Sequence, residues 1–255
     1  MDGPNLQAPN VQTPNVQGTG TDVEYPRVTP AMLRRADTMC RRKLAREHAG
    51  LKRNSNKSGD ARFAVSNRLY ADARLAQAEL GPPRPEAFVD PADLEPEQRA
   101  LYRAAARGYL ETFGERPGRA ADLGWTTHLP ELEVDLVVDV GIAIELPDGR
   151  RELRVVQVGT RRASAPLIDD ATLNCTLVRT EEWAPEQLTI VAADLIEREH
   201  ERLAPDLGVA RRDAREWIAR RVARVKELAA DGRPRAGADC SGCPFVAGCD
   251  EFRGA

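Results

Sequence analysis

The sequence predicts an α/β fold in which a β-sheet is sandwiched between helices. Helical periodicity marks residues 29–113, a stretch rich in β-branched residues occupies 133–146, and helical and strand patterns then alternate as far as residue 230. The chain has 255 residues, of which 42% are hydrophobic and 30% are charged. This composition is enough to bury one sizeable core, so we expect a single domain.

Residues 1–27 are predicted to be a disordered tail, and the domain is expected to span residues 28–252. The near-repeat at 8–17 has too few large apolar groups to offset the entropy lost on ordering. The N-terminus lacks the basic start and apolar region of a signal peptide, and no apolar run approaches the roughly 20 residues that cross a bilayer. We therefore expect a cytoplasmic protein.

Three helices are predicted before the first strand. Thr29 and Pro30 are typical of an N-cap and the first helical position. Apolar residues then follow at helical spacing: Met32, Leu33, Ala36 and Cys40. A polar loop at 52–59 separates this helix from a second helix at 61–80, and a third helix is expected at 96–113.

Strands and helices are predicted to alternate in the second half of the chain. The segment 133–146 is expected to form one strand, and the turn signal Pro-Asp-Gly at 147–149 leads into a second strand at 153–158, which together predict a hairpin. The following elements are a helix at 169–179, a strand at 187–194 and a long basic helix at 205–230. Three tryptophans are expected to pack rather than to stack on bases: Trp125, Trp183 and Trp217.

Two segments of the chain are strongly basic. Between residues 27 and 74, thirteen basic residues face four acidic ones, and between 211 and 226 seven face two. The candidate nucleic-acid contacts are Arg34, Arg41, Arg42 and Lys43. Such segments fit a phosphate-binding surface, but a solvated helix face rich in arginine has the same composition, so charge alone leaves both interpretations open.

Four cysteines predict a metal centre that joins the two ends of the domain. Cys240, Cys243 and Cys249 form a C-x2-C-x5-C motif with a proline directly after its second cysteine. A site of four thiolates needs one more ligand, and Cys40 is the candidate. Zinc sites built from sulfur alone normally use two C-x2-C pairs, which favours a 4Fe–4S cluster over zinc here. Cys175 has no partner motif and is expected to lie in the core.

These patterns resemble the RecB-like branch of the PD-(D/E)XK nuclease superfamily, in particular the members with an iron–sulfur staple, namely AddB and the CRISPR-associated RecB-like exonucleases. The segments 28–42 and 240–249 resemble the opening and the close of that family, and the resemblance covers residues 28–252. It implies a restriction-endonuclease-like fold, with a central mixed sheet flanked by helices and with its termini clipped by a four-cysteine cluster. It also implies DNA as the nucleic acid and a helicase or another DNA-processing subunit as the candidate partner.

The resemblance places the catalytic centre on four residues, three of which depart from the family pattern. Asp135 matches the metal-binding aspartate and is the candidate ligand for Mg²⁺ or Mn²⁺. Asn67 stands at the position of the family's histidine, Gln157 at that of its second acid, and Gly159 at that of its lysine. The glutamine-and-tyrosine motif of the following helix is not recognisable at 171–175.

These departures predict little or no hydrolysis. In such sites two carboxylates hold a hard divalent ion, which activates water and stabilises the charge on phosphate. Glutamine keeps an oxygen ligand but no charge, and glycine supplies nothing in place of lysine. Because the loss of one catalytic group commonly lowers the rate by about a hundredfold or more, we expect a catalytically degenerate protein (a pseudoenzyme) that binds nucleic acid or serves as a subunit.

Catalytic groups supplied from other positions of the chain would instead preserve metal-dependent deoxyribonuclease activity. The acids that could reach the site are Glu133, Asp139, Glu145 and Glu152, and the arginines that could replace the lysine are Arg154 and Arg161. Strand alternation argues against some of these groups, since Asp135 and Asp139 share a face with Glu133, whereas Glu152 lies past the turn. A metal-bound scaffold that contacts only protein is a third interpretation, and the sequence leaves all three open.

Other catalytic chemistries have no support in the sequence. A Walker A loop, a Rossmann glycine pattern and a G-x-S-x-G elbow are all missing from it, which argues against ATP hydrolysis and α/β-hydrolase chemistry. The three histidines are isolated and are interpreted as ordinary surface or boundary residues: His48, His128 and His200.

Overall fold

The computed structural model describes residues 25–49, 57–158, 165–203 and 206–233 together with Cys249; for residues 57–61 it describes the backbone only. The helices are α1 (Pro30–Arg35), α2 (Arg41–His48), α3 (Lys57–Ala76), α4 (Pro96–Phe113), α5 (Asp170–Arg179) and α6 (Leu207–Asp231). The strands are β1 (Arg27–Val28), β2 (Arg119–Ala120), β3 (Thr126–Leu129), β4 (Val134–Val137), β5 (Ile142–Glu145), β6 (Arg151–Gln157), β7 (Leu188–Asp194) and β8 (Glu199–Leu203). No helix within the described ranges combines the length with the apolar character needed to span a bilayer.

The strands form one sheet of five and one of three. The larger sheet has the order β2-β5-β6-β7-β8, and the smaller one has the order β1-β4-β3. In the larger sheet β6 and β7 are parallel and are joined through α5, whereas the other neighbouring pairs are antiparallel. The predicted hairpin is confirmed in β5 and β6, and Gly149 adopts a positive φ of 79° in the turn between them.

Apolar clusters lie on both faces of the five-stranded sheet. Along β6 the side chains alternate, so that Val156 joins the cluster beneath α3 and α4, while Leu153 and Val155 join the cluster that contains residues of α1, α2, α5 and α6. The smaller sheet contributes Val134 and Leu136 to this second cluster. The predicted α/β fold, with mixed sheets flanked by helices, is thus confirmed.

The segment predicted as one strand at 133–146 is two strands in different sheets, so that prediction is wrong. β4 belongs to the three-stranded sheet and β5 to the five-stranded sheet, and residues 138–141 form the junction between them. Gly141 has a φ of 99°, which favours glycine and turns the chain out of the extended conformation. Both halves are rich in β-branched residues, so the hydrophobic pattern does not reveal the break.

The single helix predicted from Thr29 through Cys40 is also wrong, because α1 ends at Arg35 and Cys40 is the N-cap residue of α2. The amides of Thr38 and Met39 both donate to the carbonyl of Arg35, and so does the Thr38 hydroxyl. A side chain that competes for this carbonyl favours a turn over a continued helix. Cys40 therefore lies at the start of a helix rather than on a helical stripe.

Ion pairs join the first helices to the last one. Asp37, just after α1, accepts hydrogen bonds from Arg221 and Arg224 of α6, both at 2.8 Å. Hydrogen bonds from Arg224 and Arg221 hold the pKa of the Asp37 carboxyl below its ordinary value. Arg221 also donates to the carbonyl of Leu33 at 2.7 Å. The N-terminal helices and the C-terminal helix are thus adjacent in space.

Candidate functional site

Cys40 lies where the start of α2 meets the end of α6. Arg41, the next residue, forms an ion pair with Asp231, the last residue of α6. From Asp231 nine residues lead to Cys240, the first cysteine of the motif. Because nine extended residues span about 30 Å, the motif can return to Cys40. The helix packing thus brings Cys40 to the point from which the C-terminal cysteines depart.

The metal centre itself lies largely outside the described residues, which include Cys40 and Cys249 but neither Cys240 nor Cys243. Within the described part of the chain, no group of three or more histidine, cysteine or acidic side chains could hold a metal ion. Cys175 is fully buried on α5, which confirms the expectation that it lies in the core. Burial, and to a lesser degree the charge of Asp169, raises the pKa of its thiol, so this residue is a poor thiolate.

A second candidate region is a cleft of about 510 Å³ beside the junction between β4 and β5. The residues around it include Arg34, Phe63, Asp139, Val140, Asp169 and Thr172. The Asp169 carboxylate is already used, since it caps α5 through the Thr172 amide and accepts a hydrogen bond from Arg34 at 2.7 Å. Asp139 is exposed, and no hydrogen bond or ion pair joins its carboxylate to another described residue, although its charge acts on Arg179 and favours the charged form of that guanidinium. Asp139 is therefore an exposed carboxylate of this cleft, whose lining also includes Glu47.

Asp139 lies beyond the paired part of the hairpin. The regular antiparallel pairing ends with Ile142 facing Arg154, and Gly141 then turns the chain out of the ladder. Gln157, the last residue of β6, donates its side-chain amide to the carbonyl of Leu167. The acid directly opposite Gln157 in the sheet is Asp194 of β7, which is buried.

Tyr70 of α3 connects the junction to the end of β6. Its hydroxyl donates to the carbonyl of Val156 at 2.9 Å and also contacts the backbone of Gly141. Burial raises the pKa of Tyr70 to about 12, so the hydroxyl stays protonated as a donor. Asn67 lies three residues before Tyr70 and is exposed on the same side of α3. Tyr70 thus links the junction that carries Asp139 to the end of β6, whose last residue is Gln157.

Asp135 lies in the smaller sheet, apart from the end of β6. It is in β4 of the three-stranded sheet, where its carboxylate is 2.8 Å from Nδ1 of His128 on the adjacent strand. Its side chain is 13% exposed, and its amide donates to the carbonyl of Pro26. The contacts of the described residues do not join Asp135 to Gln157 or Asn67. The structure thus separates residues that the resemblance places in one site.

The other relocated acids are engaged in ion pairs. These pairs are Glu133 with Lys226 at 2.9 Å, Glu145 with Arg119 at 2.6 Å and Glu152 with Arg154 at 2.7 Å. Arg154 is fully buried, and strand alternation directs it to the face of β6 opposite to that of Gln157. It therefore does not supply the charge of the missing lysine. Gly159 and Arg161 lie outside the described residues.

Acids from distant parts of the chain neutralise much of the charge on the basic segments. Among the candidate nucleic-acid contacts, Arg34 pairs with Asp169 and Arg41 pairs with Asp231. On α6, Arg215 pairs with Glu131 and Glu181, in addition to the pairs that Arg221 and Arg224 form with Asp37. Arg42 and Lys43 are half-buried on α2. A large part of the basic surface expected from composition thus serves to join helices.

Trp125 is a surface feature that the sequence pattern does not indicate. The expectation that the tryptophans pack holds for Trp183, which is 7% exposed, and for the half-buried Trp217, but Trp125 is 37% exposed. The guanidinium carbons of Arg74 and Arg179 lie 4.6 and 5.2 Å from the centre of its ring. The three residues come from α3, α5 and the segment before β3, so only the tertiary structure brings them together.

Comparison with models of protein families and with curated protein sequences finds no match to this chain. Known proteins therefore do not indicate what these residues do. The cysteine motif, the cleft beside Asp139 and the exposed cation–aromatic cluster carry the proposals that follow.

Proposed function

We propose that this protein is a RecB-like nuclease-fold protein, clipped by an iron–sulfur cluster and catalytically degenerate, that binds nucleic acid or serves as a subunit of a DNA-processing complex. The mixed five-stranded sheet between helices supports the proposal, since it has the order of helix, hairpin, helix and strand that the resemblance implies. A helicase is the candidate partner on the same ground. Zinc is the alternative metal.

The position of Cys40 carries this proposal. Cys40 and Cys240 are two hundred residues apart in the chain, yet α2 and α6 lie side by side, and the ion pair between Arg41 and Asp231 is formed next to Cys40. A metal that links these cysteines would close a very long loop, which stabilises the folded state by restricting the unfolded one. The cluster would therefore act as a structural clip.

Metal analysis of anaerobically purified protein tests this clip. We expect about four iron atoms and four acid-labile sulfides per chain, as in a 4Fe–4S cluster held by four thiolates. Cys40→Ser is expected to lose both, together with part of the thermal stability, because the loop is no longer closed. Cys175→Ala is the matched control, since it removes a thiol that lies in the core, and it is expected to keep the full metal content.

The alternatives give different metal contents. If the wild-type protein contains zinc and Cys40→Ser does not, the long-range clip would be supported with zinc as its metal. Wild-type protein without bound metal, or with a metal content that Cys40→Ser leaves unchanged, would contradict the clip and leave the family proposal resting on degenerate motifs.

The surroundings of Gln157 support the degenerate character of the site. Asp194, opposite Gln157 in the sheet, accepts hydrogen bonds from two backbone amides, and Asp169 is neutralised by Arg34, which leaves Asp139 as an exposed carboxylate of the cleft. One carboxylate and one neutral amide oxygen bind Mg²⁺ weakly, because the ion keeps its water unless several negative oxygens replace it. The arginine nearest in sequence, Arg154, is on the other face of β6 and fully buried. Strong metal-dependent hydrolysis is therefore not expected.

A weak Mg²⁺- or Mn²⁺-dependent deoxyribonuclease centred on Asp139 is the second candidate function. The observation that favours it is the exposed Asp139 carboxylate in the cleft, in the junction that Tyr70 links to the end of β6. If the wild-type protein cleaves labelled single-stranded or duplex DNA, Asp139→Asn is expected to lower the rate by about a hundredfold. Asp170→Asn, which changes an exposed acid on α5, is the matched control and is expected to cleave as the wild type does.

Asp135→Asn distinguishes the two assignments of the metal ligand. Loss of cleavage in Asp135→Asn with activity retained in Asp139→Asn would support the sequence-based assignment and contradict the structural one. Wild-type protein that cleaves neither substrate with either metal would support the degenerate nuclease fold.

A further inference from the structure

The half-buried Arg74 and the exposed Trp125 form a cation–aromatic pair beside the candidate site. Arg74 lies one helical turn after Tyr70 on α3, and its guanidinium carbon is 4.6 Å from the centre of the Trp125 ring. The carbonyl of Trp125 accepts a hydrogen bond from the amide of Val138, at the start of the junction that carries Asp139. The pair is therefore attached to the chain segment that forms one wall of the cleft.

The hydrogen-bonding capacity of Arg74 is not used within the described part of the protein. Its Nε and Nη2 atoms are shielded from solvent and reach no acceptor. The charge of Arg179, which also lies over Trp125, is likewise not paired with a carboxylate, because its guanidinium donates to three backbone carbonyls. Burial, and then repulsion from Arg74, lowers the pKa of Arg179 to about 10, although the charge of Asp139 acts in the opposite direction, and Arg179 therefore stays charged at neutral pH. Two positive charges thus converge on one exposed ring.

We propose that the Arg74–Trp125 surface binds a nucleotide of single-stranded nucleic acid and directs the strand towards the Asp139 cleft. A phosphate group of the strand would be attracted by the positive charges of Arg74 and Arg179 at this ring. An unpaired base would stack on the exposed part of the cation–aromatic pair. This inference rests on the proposed nucleic-acid function and names the strand type and the contact surface.

The chemistry of the surface favours a single strand over the other ligands. In a duplex the faces of the bases are covered by their neighbours, so that a protein ring reaches them only when a base is unstacked. An acidic peptide would pair with Arg74 but would gain little from the exposed indole of Trp125. By contrast, α6 offers guanidinium groups that are largely neutralised by Asp37, Glu131 and Glu181.

Fluorescence anisotropy with a labelled single-stranded oligonucleotide of about 20 bases and with the matching duplex tests this surface. We expect the wild type to bind the single strand more tightly, with an affinity that falls as salt is raised. Arg74→Gln and Trp125→Leu are each expected to weaken single-strand binding by about tenfold. Arg74→Gln should also lower the slope of log affinity against log salt by about 0.7, the value for one phosphate contact.

Arg220→Gln is the matched control, since Arg220 is an exposed arginine of α6 whose side chain is 69% accessible. Its affinity for the single strand is expected to stay within about twofold of that of the wild type, because its charge is offset by Glu216. Quenching of intrinsic tryptophan fluorescence on binding, lost in Trp125→Phe, would support direct contact with the ring.

The outcomes separate this inference from the proposed function. Wild-type affinity retained in Arg74→Gln and Trp125→Leu would overturn the assignment of this surface and leave nucleic-acid binding intact. Equal losses for the duplex and the single strand would overturn the strand preference. A wild-type protein that binds neither oligonucleotide at low salt would overturn both this inference and the nucleic-acid part of the proposed function.

Discussion

Arg154→Met is expected to lower the free energy of unfolding by about 3–5 kcal/mol, because it leaves Glu152 buried without its closest partner. Arg154 has no exposed surface, and its guanidinium carbon lies 4.3 Å from the centre of the Phe113 ring. Its Nε donates to Glu152 at 2.7 Å, and its Nη1 donates to Gln77 at 2.6 Å and to the Tyr109 hydroxyl at 2.9 Å. One substitution thus removes several buried interactions.

Urea unfolding of two single variants and one double variant measures this network. Glu152→Met leaves Arg154 buried without a carboxylate and is expected to destabilise the protein by a similar amount. The double variant with methionine at both positions is expected to be more stable than the sum of the single losses predicts, because apolar residues often replace a buried ion pair at little cost. Arg116 and Arg202 lie 3.5 and 3.8 Å from the second oxygen of Glu152, so they reduce the loss in Arg154→Met.

The exposed pair of Arg150 and Asp148 provides the control for this series. Arg150→Met is expected to change stability by less than about 1 kcal/mol, since solvent screens exposed pairs. A loss in Arg154→Met as small as that in Arg150→Met would contradict the view that the buried network stabilises the sheet against α3 and α4.

Arg179→Leu is expected to lower the free energy of unfolding by about 3 kcal/mol and to disorder the edge of the candidate site. Arg179 is 5% exposed and donates to the carbonyls of Gly124, Val140 and Leu123 at 2.8, 2.9 and 2.9 Å. A buried acceptor left without a donor costs about 1–3 kcal/mol. Since these carbonyls flank Trp125 and Asp139, we expect single-strand binding to weaken as well, although Arg179 is almost inaccessible to a ligand.

Arg211→Leu is the matched control for Arg179→Leu. Arg211 is 8% exposed and donates to the carbonyls of Trp183 and Thr180, away from the junction. Both variants should lose stability, but only Arg179→Leu should accelerate hydrogen exchange of the amides at 123–126 and 138–141. Equal exchange at these amides in the two variants would show that Arg179 does not hold this edge in place.

Most elements of the fold could be predicted from local patterns. The helices expected at 96–113, 169–179 and 205–230, and the strands expected at 153–158 and 187–194, agree with the structure to within two residues at each end. These elements have strong periodicity and clear end signals, such as the Asp169 N-cap of α5. The failures at 133–146 and after Arg35 lie where a turn interrupts a pattern that is equally apolar on both sides.

The candidate site was harder to predict from the sequence than the fold. The resemblance favoured Asp135 as the metal ligand, but the break at residues 138–141 assigns Asp135 to the smaller sheet and leaves Asp139 in the junction between the two sheets. Counting charges likewise identified the basic helices as a candidate binding surface. In the structure many of their arginines form ion pairs with acids that are remote in the chain. These ion pairs follow from the packing of the helices, so the sequence pattern does not reveal them.

Local patterns suffice to predict the α/β composition, the hairpin, the core position of Cys175 and the cysteine motif, because hydrophobic periodicity, turn residues and ligand spacing are local properties. The packing of the elements is needed to show which strands pair, that Cys40 meets the end of α6, and that Trp125 lies against Arg74. These contacts join segments that are tens to hundreds of residues apart, and they depend on strand register and on the positive φ of Gly141. Local periodicity indicates which face of an element is buried, but not which distant element covers it.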